Sequence, residues 1–201
     1  AVDSTDMVAM AEKYHQSSAV VTAAMGRLLT AASMMGIMQK NPEDTVTLRI
    51  SGSGPVGFMI AVADAQGNSR VAVENAVVEI PSKKQGKLDV AGAVGSIGTL
   101  SVIKDSGKGE PQTGICALVS GEIAEDIAKY FAESEQIPTV CALGVLVDTD
   151  LSVLAAGGLL LQLLPGADDE TITQLEKNLA VMPPVSSMVN DGNTPLQILE
   201  T

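Results

Sequence analysis

The side chains that could carry chemistry in this sequence are two cysteines and one histidine. Cys116 and Cys141 lie in the apolar runs ICALV and VCALG, and no CxC or CxxC spacing occurs. A structural zinc site needs four nitrogen or sulfur ligands, and these three residues cannot supply them. We therefore expect buried, inert thiols and no metal site in this chain.

His15 is also the only residue that could serve as the base of a hydrolase triad, and it ends a polar helix pattern with no special neighbours. The segment 52–57, GSGPVG, matches GxGxxG, but a strand-like run follows it where a dinucleotide site needs the start of a helix. The carboxylates of 122–135 follow one solvated helix face. The sequence predicts a protein that is not an enzyme.

The composition limits the possible partners. The chain has 201 residues, of which 46% are hydrophobic and 2% aromatic, and its net charge is −12. An acidic surface disfavours nucleic acids and anionic membranes. No run of 18 apolar residues and no secretory signal pattern is present, so we expect a cytoplasmic protein with neither kind of partner.

Two helices are predicted near the start. Residues 3–15 form a short amphipathic pattern with Asp3, Ser4 and Thr5 as possible caps. Residues 17–40, with Ser17 or Ser18 as cap, are apolar on nearly every side and hold one charge, Arg27, between positions 19 and 38. Such a helix must be covered on nearly every side. We place it between layers of the domain; the alternative is an exposed, pliable methionine surface.

Strands are predicted over most of the remaining core. Residues 45–80 form strands with a hairpin at Gln66-Gly67-Asn68, and 98–105 pair with 113–121. The Gly-rich segment 81–97 is predicted as a loop, and 122–136 as an amphipathic helix. The runs 139–148 and 153–166 are so continuously apolar that they predict burial on both faces, or a partner on the exposed one.

The character of the sequence changes after Pro165-Gly166. The remaining residues are acidic and helical, with Asp168 or Asp169 and Ser186 as possible caps. We predict a core domain over 1–166 and a helical extension over 167–201. The chain ends within a helical pattern, which we interpret as a cut.

The sequence resembles the heat-shock protein 33 family in several blocks that occur in the same order. The blocks are 22–36 (TAAMGRLLTAASMMG), 50–57 (ISGSGPVG), 86–105, 113–139 and 155–167 (AAGGLLLQLLPGA). The resemblance implies an α+β fold, with β-sheets packed around a buried central helix and followed by a helical linker. The start at Ala1 departs from the family, which normally has further strand residues there.

By this resemblance the protein would be a redox-regulated holdase chaperone that binds unfolding client proteins under oxidative stress. The family carries zinc in a C-terminal domain with a CxC and a CxxC pair; this chain stops before that domain, and Cys116 and Cys141 are not those ligands. No cofactor is therefore expected in this chain. The resemblance also implies a homodimer, in which strands or domains could be exchanged between the two copies. We expect the chain to suppress client aggregation without responding to peroxide.

The sequence allows more than one choice of residues for the client-binding surface. Four residues lie on one face of the first linker helix: Ile172, Leu175, Leu179 and Met182. They would cover either Leu159 and Leu161, or Leu160 and Leu163, depending on which face of that strand points outward. The helix could equally be permanently docked. A small-ligand or enzymatic α/β domain, and a purely structural dimerisation module, are the competing functions.

Overall fold

The computed structural model describes residues 1–83 and 87–201. Within these residues, eight β-strands, seven α-helices and one π-helical turn follow one another in this order: β1 (Val2–Asp3), α1 (Thr5–His15), α2 (Ala19–Ile37), β2 (Thr45–Gly52), β3 (Phe58–Asp64), β4 (Ser69–Val73), α3 (Val90–Val94), β5 (Gly98–Asp105), β6 (Gln112–Ala117), α4 (Ala124–Tyr130), the π-helical turn (Phe131–Glu135), β7 (Thr139–Val147), β8 (Val153–Gln162), α5 (Asp169–Val181), α6 (Val185–Asn190) and α7 (Pro195–Leu199). The predicted α+β class is confirmed.

The strands form two antiparallel sheets. The larger has the order β4-β3-β2-β5-β6, and the smaller has the order β1-β8-β7. Both predicted hairpins are present, and Gly67 takes the positive φ of 82° that the first of them requires. The alternation in β2 places Val46, Leu48 and Ile50 on the buried face.

Helix α2 lies between the two sheets and forms the centre of the main hydrophobic core. Among the described residues it is the one helix long and apolar enough to cross a membrane, but 89% of its apolar window is buried inside the protein, as in a core helix. Met25, Met34 and Met35 are buried, which confirms the core interpretation of these methionines. The helix ends at Ile37, before the predicted stop at Asn41-Pro42.

Segment 81–97 was expected to be a loop, and this was wrong in part, because Val90–Val94 form α3. Asp89 caps the helix by accepting a hydrogen bond from the Gly92 N–H at 2.9 Å. Burial of Val90, Ala93 and Val94 then outweighs the low helix propensity of the glycine. Residues 84–86 of the predicted loop lie outside the described residues.

Several predicted helix ends also differ from the structure. The hydroxyl of Ser18 donates to the Val78 carbonyl at 2.9 Å instead of capping α2. Ser186 lies inside α6, whose first flanking residue is Pro184. Asp168 does cap α5, since it accepts from the Thr171 N–H at 2.7 Å. The predicted helix 122–136 begins at Ala124 and finishes in the π-helical turn.

Candidate functional site

The ribbon formed by β7 and β8 is apolar on both faces. The inner face, which includes Leu143, Val145, Ala156 and Leu160, packs against the main core around α2. The side chains that alternate with these point the other way and form what we call the outer face. Its members are Ala142, Gly144, Leu146, Ala155, Gly157, Leu159 and Leu161. Burial on both faces, as the sequence predicted, is confirmed.

Helix α6 is the firmly held part of the cover on the outer face. Val185, Met188 and Val189 are buried there and form a second cluster, the outer core, with Ala155, Leu159 and Ile198. Gly144 allows the backbone of α6 to come close, because a Cβ at this position would lie 2.5 Å from the Ser186 Oγ. Helix α6 therefore sits directly on the strands.

Helix α7 adds one anchor to this cover. The Thr194 hydroxyl accepts a hydrogen bond from the Gln197 N–H at 3.3 Å, and the Gln197 side chain accepts from the Thr194 N–H at 2.8 Å. This reciprocal cap starts the helix. Ile198 follows one turn later and is buried in the outer core.

Helix α5 is the loosely held part of the cover, because none of its residues is fully buried. Its apolar face meets the outer face around a cavity of about 110 Å³. The cavity is lined by Leu159, Leu161, Leu175, Asn178, Leu179, Met182, Ile198, Leu199 and Thr201. A helix held by half-buried side chains alone can leave at little cost to the rest of the fold.

The structure brings together five of the seven predicted site residues. Leu159 and Leu161 lie on the strand side of the cavity, and Leu175, Leu179 and Met182 lie on the helix side. Ile172 and Leu163 are half-buried but do not line it. Leu160 packs against the main core instead. The structure thus selects the Leu159 and Leu161 alternative for the covered face, while a role in client binding stays a prediction.

Sequence reasoning missed the α6 and α7 residues of the cover. Val185, Met188 and Val189 follow the i, i+3, i+4 spacing of an apolar helix face. That spacing was present in the sequence, but the segment was assigned only as short helical pieces. The outer-core partners Leu146 and Ala155 could not be chosen, since both faces of the ribbon are equally apolar.

The two thiols lie in buried or half-buried positions, and the histidine contacts the backbone of β4. Burial raises the pKa of Cys141 to about 12 and also raises that of Cys116, so both stay protonated and weakly nucleophilic near neutral pH. Nε2 of His15 lies 3.0 Å from the Val71 carbonyl oxygen. Among residues 1–83 and 87–201 no three His, Cys, Asp or Glu side chains are grouped to hold a metal ion. The described residues therefore do not fit the zinc that the resemblance implies.

The ionisable groups form structural pairs. Arg27 donates to the Glu122 carboxylate at 2.6 Å and to its backbone carbonyl at 3.1 Å, and Lys83 reaches the same carboxylate at 2.9 Å. Burial opposes ionisation of Glu122, but the bonds from Lys83 and Arg27 outweigh it and lower its pKa. Glu122 is thus held as an anion that joins α2 to the turn before α4.

A larger cavity of about 650 Å³ lies between the end of α2, the β5–β6 connection and the π-helical turn. Met35, Met38, Phe131 and Ile137 supply its apolar lining, and charged side chains such as Lys104 and Glu135 supply the rest. A paired His15 and carboxylate would have supported an enzyme, but His15 does not line this cavity.

Comparisons with known proteins agree with this arrangement. The family model described as Hsp33 protein matches residues 1–201. The 33 kDa chaperonin of Acetivibrio thermocellus is 49% identical over 196 residues, which are 98% of this chain and 66% of that protein. The 33 kDa chaperonin of Bacillus subtilis is 46% identical over 200 residues, covering 100% of this chain and 68% of that protein.

A solved structure shows the same fold. The crystal structure of the 33 kDa chaperonin from Thermotoga maritima superposes with a TM-score of 0.91 at 38% identity, and the match covers 98% of this chain and 67% of that one. The chain spans about two thirds of the length of the curated relatives that it matches. Because the family model matches residues 1–201 and a curated relative is 49% identical to this chain, the chain belongs to the Hsp33 family.

Proposed function

We propose that this chain is the client-holding part of a chaperone, which binds unfolding proteins through the outer face of the β7–β8 ribbon. Family membership and the chaperonin names of its relatives support the class of function. The observation that carries the proposal is the loosely held α5, which covers an apolar strand surface without burying any of its own residues completely.

Binding on such a surface needs no catalysis. Apolar contact contributes roughly 25 cal/mol per Å² removed from water, so displacing α5 and replacing it with an unfolded segment exchanges one apolar contact for another. The holdase lowers the concentration of free, aggregation-prone chain by mass action. The negative charge of the chain keeps the open form dispersed.

The remaining parts of the proposal follow the family. We propose that redox regulation depends on the zinc-binding cysteines of the family and not on Cys116 and Cys141, whose pKa values are raised by burial. A cytoplasmic location suits a chain whose two thiols are free. A homodimer is part of the proposal, and sizing chromatography tests it. The protein is proposed to act without turning over a substrate.

The proposal is tested by light scattering of a heat-unfolded client protein in the presence of the chain. Leu175→Ser with Leu179→Ser weakens the cover and is expected to increase suppression of aggregation. Leu161→Asp places a charge on the half-buried edge of the outer face and is expected to reduce suppression severalfold. Circular dichroism establishes that each variant is folded.

The matched control is Leu164→Asp, because Leu164 is 80% exposed and lies just beyond the end of β8. This variant carries the same change in charge and is expected to behave as the unmodified chain. Equal suppression by Leu161→Asp and Leu164→Asp would exclude the outer face as the binding surface. A peroxide response that dithiothreitol reverses would show that the two thiols act as a switch after all.

A further inference from the structure

The nine methionines of the chain differ sharply in how far solvent reaches them. Met10 and Met38 are 51% and 43% exposed, Met7 and Met182 are half-buried, and the other five are buried. Of the four that solvent reaches, only Met182 belongs to the cover of the outer face. Met182 is therefore the methionine of this cover that is partly exposed to solvent.

Met182 lies at the point where the cover changes from loose to firm. It is the C-cap residue directly after α5, and its N–H donates to the Leu179 carbonyl at 3.4 Å. Its backbone is extended and leads through Pro183 and Pro184 into the anchored α6. Its side chain packs against the outer core and lines the cavity beside Leu179.

The side chain of Met182 therefore helps to hold α5 on the outer face and is partly exposed to solvent. Helix α5 otherwise contributes the half-buried Leu175 and Leu179 to this contact. Oxidation of a methionine to its sulfoxide replaces an apolar, flexible side chain with a polar one, and such a change disrupts apolar contacts. No described side chain of the cavity lining, apart from the exposed Asn178 and Thr201, could bond to the new oxygen.

We propose that Met182 is a site of reversible oxidation, and that its sulfoxide releases α5 from the outer face of the ribbon. With hypochlorous acid as the oxidant, the thioether sulfur attacks the oxygen and the O–Cl bond breaks. Chloride leaves with both electrons of that bond, the proton passes to solvent, and the oxygen remains on sulfur. The sulfur is oxidised by two electrons and the oxidant is reduced by two.

The effect on aggregation rests on the proposed function, whereas the release of α5 does not. The expectation of no peroxide response rested on the zinc-binding CxC and CxxC pairs of the family, which residues 1–201 do not contain. Oxidation of Met182 would be a route to peroxide sensitivity that does not involve cysteine. The two routes can be distinguished, because methionine sulfoxide is reduced by a methionine sulfoxide reductase. Oxidation of a residue in the cover would then expose the outer face.

The test uses the chain of residues 1–201 and limiting hypochlorous acid, with oxidation at each methionine located by peptide mass spectrometry. Hydrogen exchange is then measured over 169–181 and over β8. We expect exchange of α5 to become about tenfold faster once Met182 is oxidised. Methionine sulfoxide reductase should restore the original rate, and dithiothreitol should not.

Variants separate Met182 from the other methionines. Met182→Leu keeps an apolar side chain of similar volume and should lose the exchange response, expressed as the ratio of oxidised to untreated protein. Met182→Gln should exchange rapidly without oxidant. Met10→Leu and Met38→Leu remove exposed thioethers elsewhere and should respond as the unmodified chain does.

The inference is overturned if Met182→Leu responds like the unmodified chain, or if Met182 stays unoxidised while Met10 reacts fully. It is also overturned if Met182 is oxidised and α5 exchanges at its former rate. If α5 is released but suppression of aggregation does not change, the inference stands and the proposed function fails.

Discussion

At the scale of single residues, Asp126 has the most demanding role in the structure. It is fully buried, and its carboxylate accepts hydrogen bonds from the backbone N–H groups of Val119, Ser120 and Ile123 at 2.6, 3.2 and 3.0 Å. Ile123 has a φ of 74°, which is rare for a β-branched residue. The three bonds hold this strained turn in place and satisfy donors that would otherwise be buried without a partner.

Asp126→Ala should lower the free energy of unfolding by about 2–4 kcal/mol, since it leaves the three donors unpaired and the strain at Ile123 unsupported. Urea denaturation followed by circular dichroism measures the change. Glu125→Ala is the control, because Glu125 is the exposed neighbour in the same helical turn, and a shift within about 0.5 kcal/mol is expected there. Equal effects would contradict the role assigned to Asp126.

Glu135 makes stability depend on pH. Burial opposes its ionisation, but hydrogen bonds from Lys104 and Tyr130 outweigh that effect and lower its pKa below the ordinary value of 4.5. A carboxylate with a lowered pKa stabilises the fold at pH values above the ordinary one, and this contribution is lost as the pH falls through the lower, folded value.

Glu135→Gln should therefore destabilise the chain at pH 7 and make its stability less dependent on pH below about 4.5. Urea titrations at a series of pH values compare the two proteins. The curves are expected to converge in acid, where the carboxylate is protonated. A constant difference down to the acid limit would show that Glu135 contributes through packing and not through its charge.

At the scale of elements, α2 depends on two glycines of different kinds. A Cβ at Gly36 would collide with the backbone carbonyl of Asp64 in β3. A Cβ at Gly26 would meet the side chains of Val8 and Val145, at 2.7 and 2.8 Å. The backbone of a hydrogen-bonded strand cannot move away without disturbing the sheet, whereas valine side chains can shift by a few tenths of an ångström.

Gly36→Ala should therefore be the more harmful of these two otherwise identical substitutions. We expect it to lower the free energy of unfolding by about 1–3 kcal/mol. At Gly26 the better helix propensity of alanine offsets part of the crowding, so a loss of under about 1 kcal/mol is expected. Chemical denaturation measures both, and a larger loss at Gly26 would contradict the close contact of α2 with β3.

Sequence patterns predicted those elements whose local preference and burial agree. Helix α2 is apolar on all sides and is buried on all sides, and β2 alternates as a half-buried strand should. Helix α3 was missed because Gly92 reads as a loop residue until the packing of its neighbours is known. Ser18 lies at a cap position, but its hydroxyl is used by Val78, which is distant in sequence.

The candidate site could be predicted only in part, because the sequence pattern identifies an apolar helix face but not the strand face that it covers. The spacing of Leu175, Leu179 and Met182 identified the apolar face of α5 and its contact with β8. The side of β8 that it covers was undecided, since Leu159 and Leu160 are equally apolar. Only the packing separates the two faces, because Leu159 joins the outer core whereas Leu160 packs against the main core around α2.

At the scale of the whole molecule, the helices differ in how deeply they are buried, with α2 the most buried, α6 intermediate and α5 the least buried of the three. Nearly all of α2 is buried, α6 is anchored by Val185, Met188 and Val189, and α5 has no fully buried residue. Local opening follows the same order, because a segment with few buried contacts can detach without unfolding the rest. Helix α5 is therefore expected to open before α6 and α2.

Native-state hydrogen exchange should show this gradient directly. Amides of α2 are expected to exchange at the rate of global unfolding, those of α6 faster, and those of α5 fastest of the three. Mass spectrometry of peptides from each helix measures the rates. Equal protection of α5 and α2 would mean that the cover and the main core unfold as one unit.

The ribbon of β7 and β8 carries a risk for the molecule itself. The register of a strand is specified most strongly where one face is apolar and the other is polar. Both faces of this ribbon are apolar, and neither strand holds a charged residue. Two glycines distinguish the native register from a register shifted by one residue. Gly157 leaves room for Val185 and Val189 on the outer face, and Gly158 leaves room for Met34 and Thr30 on the inner face. During synthesis, before α6 closes over it, this uncharged hairpin is a template for fibril-like pairing between nascent copies.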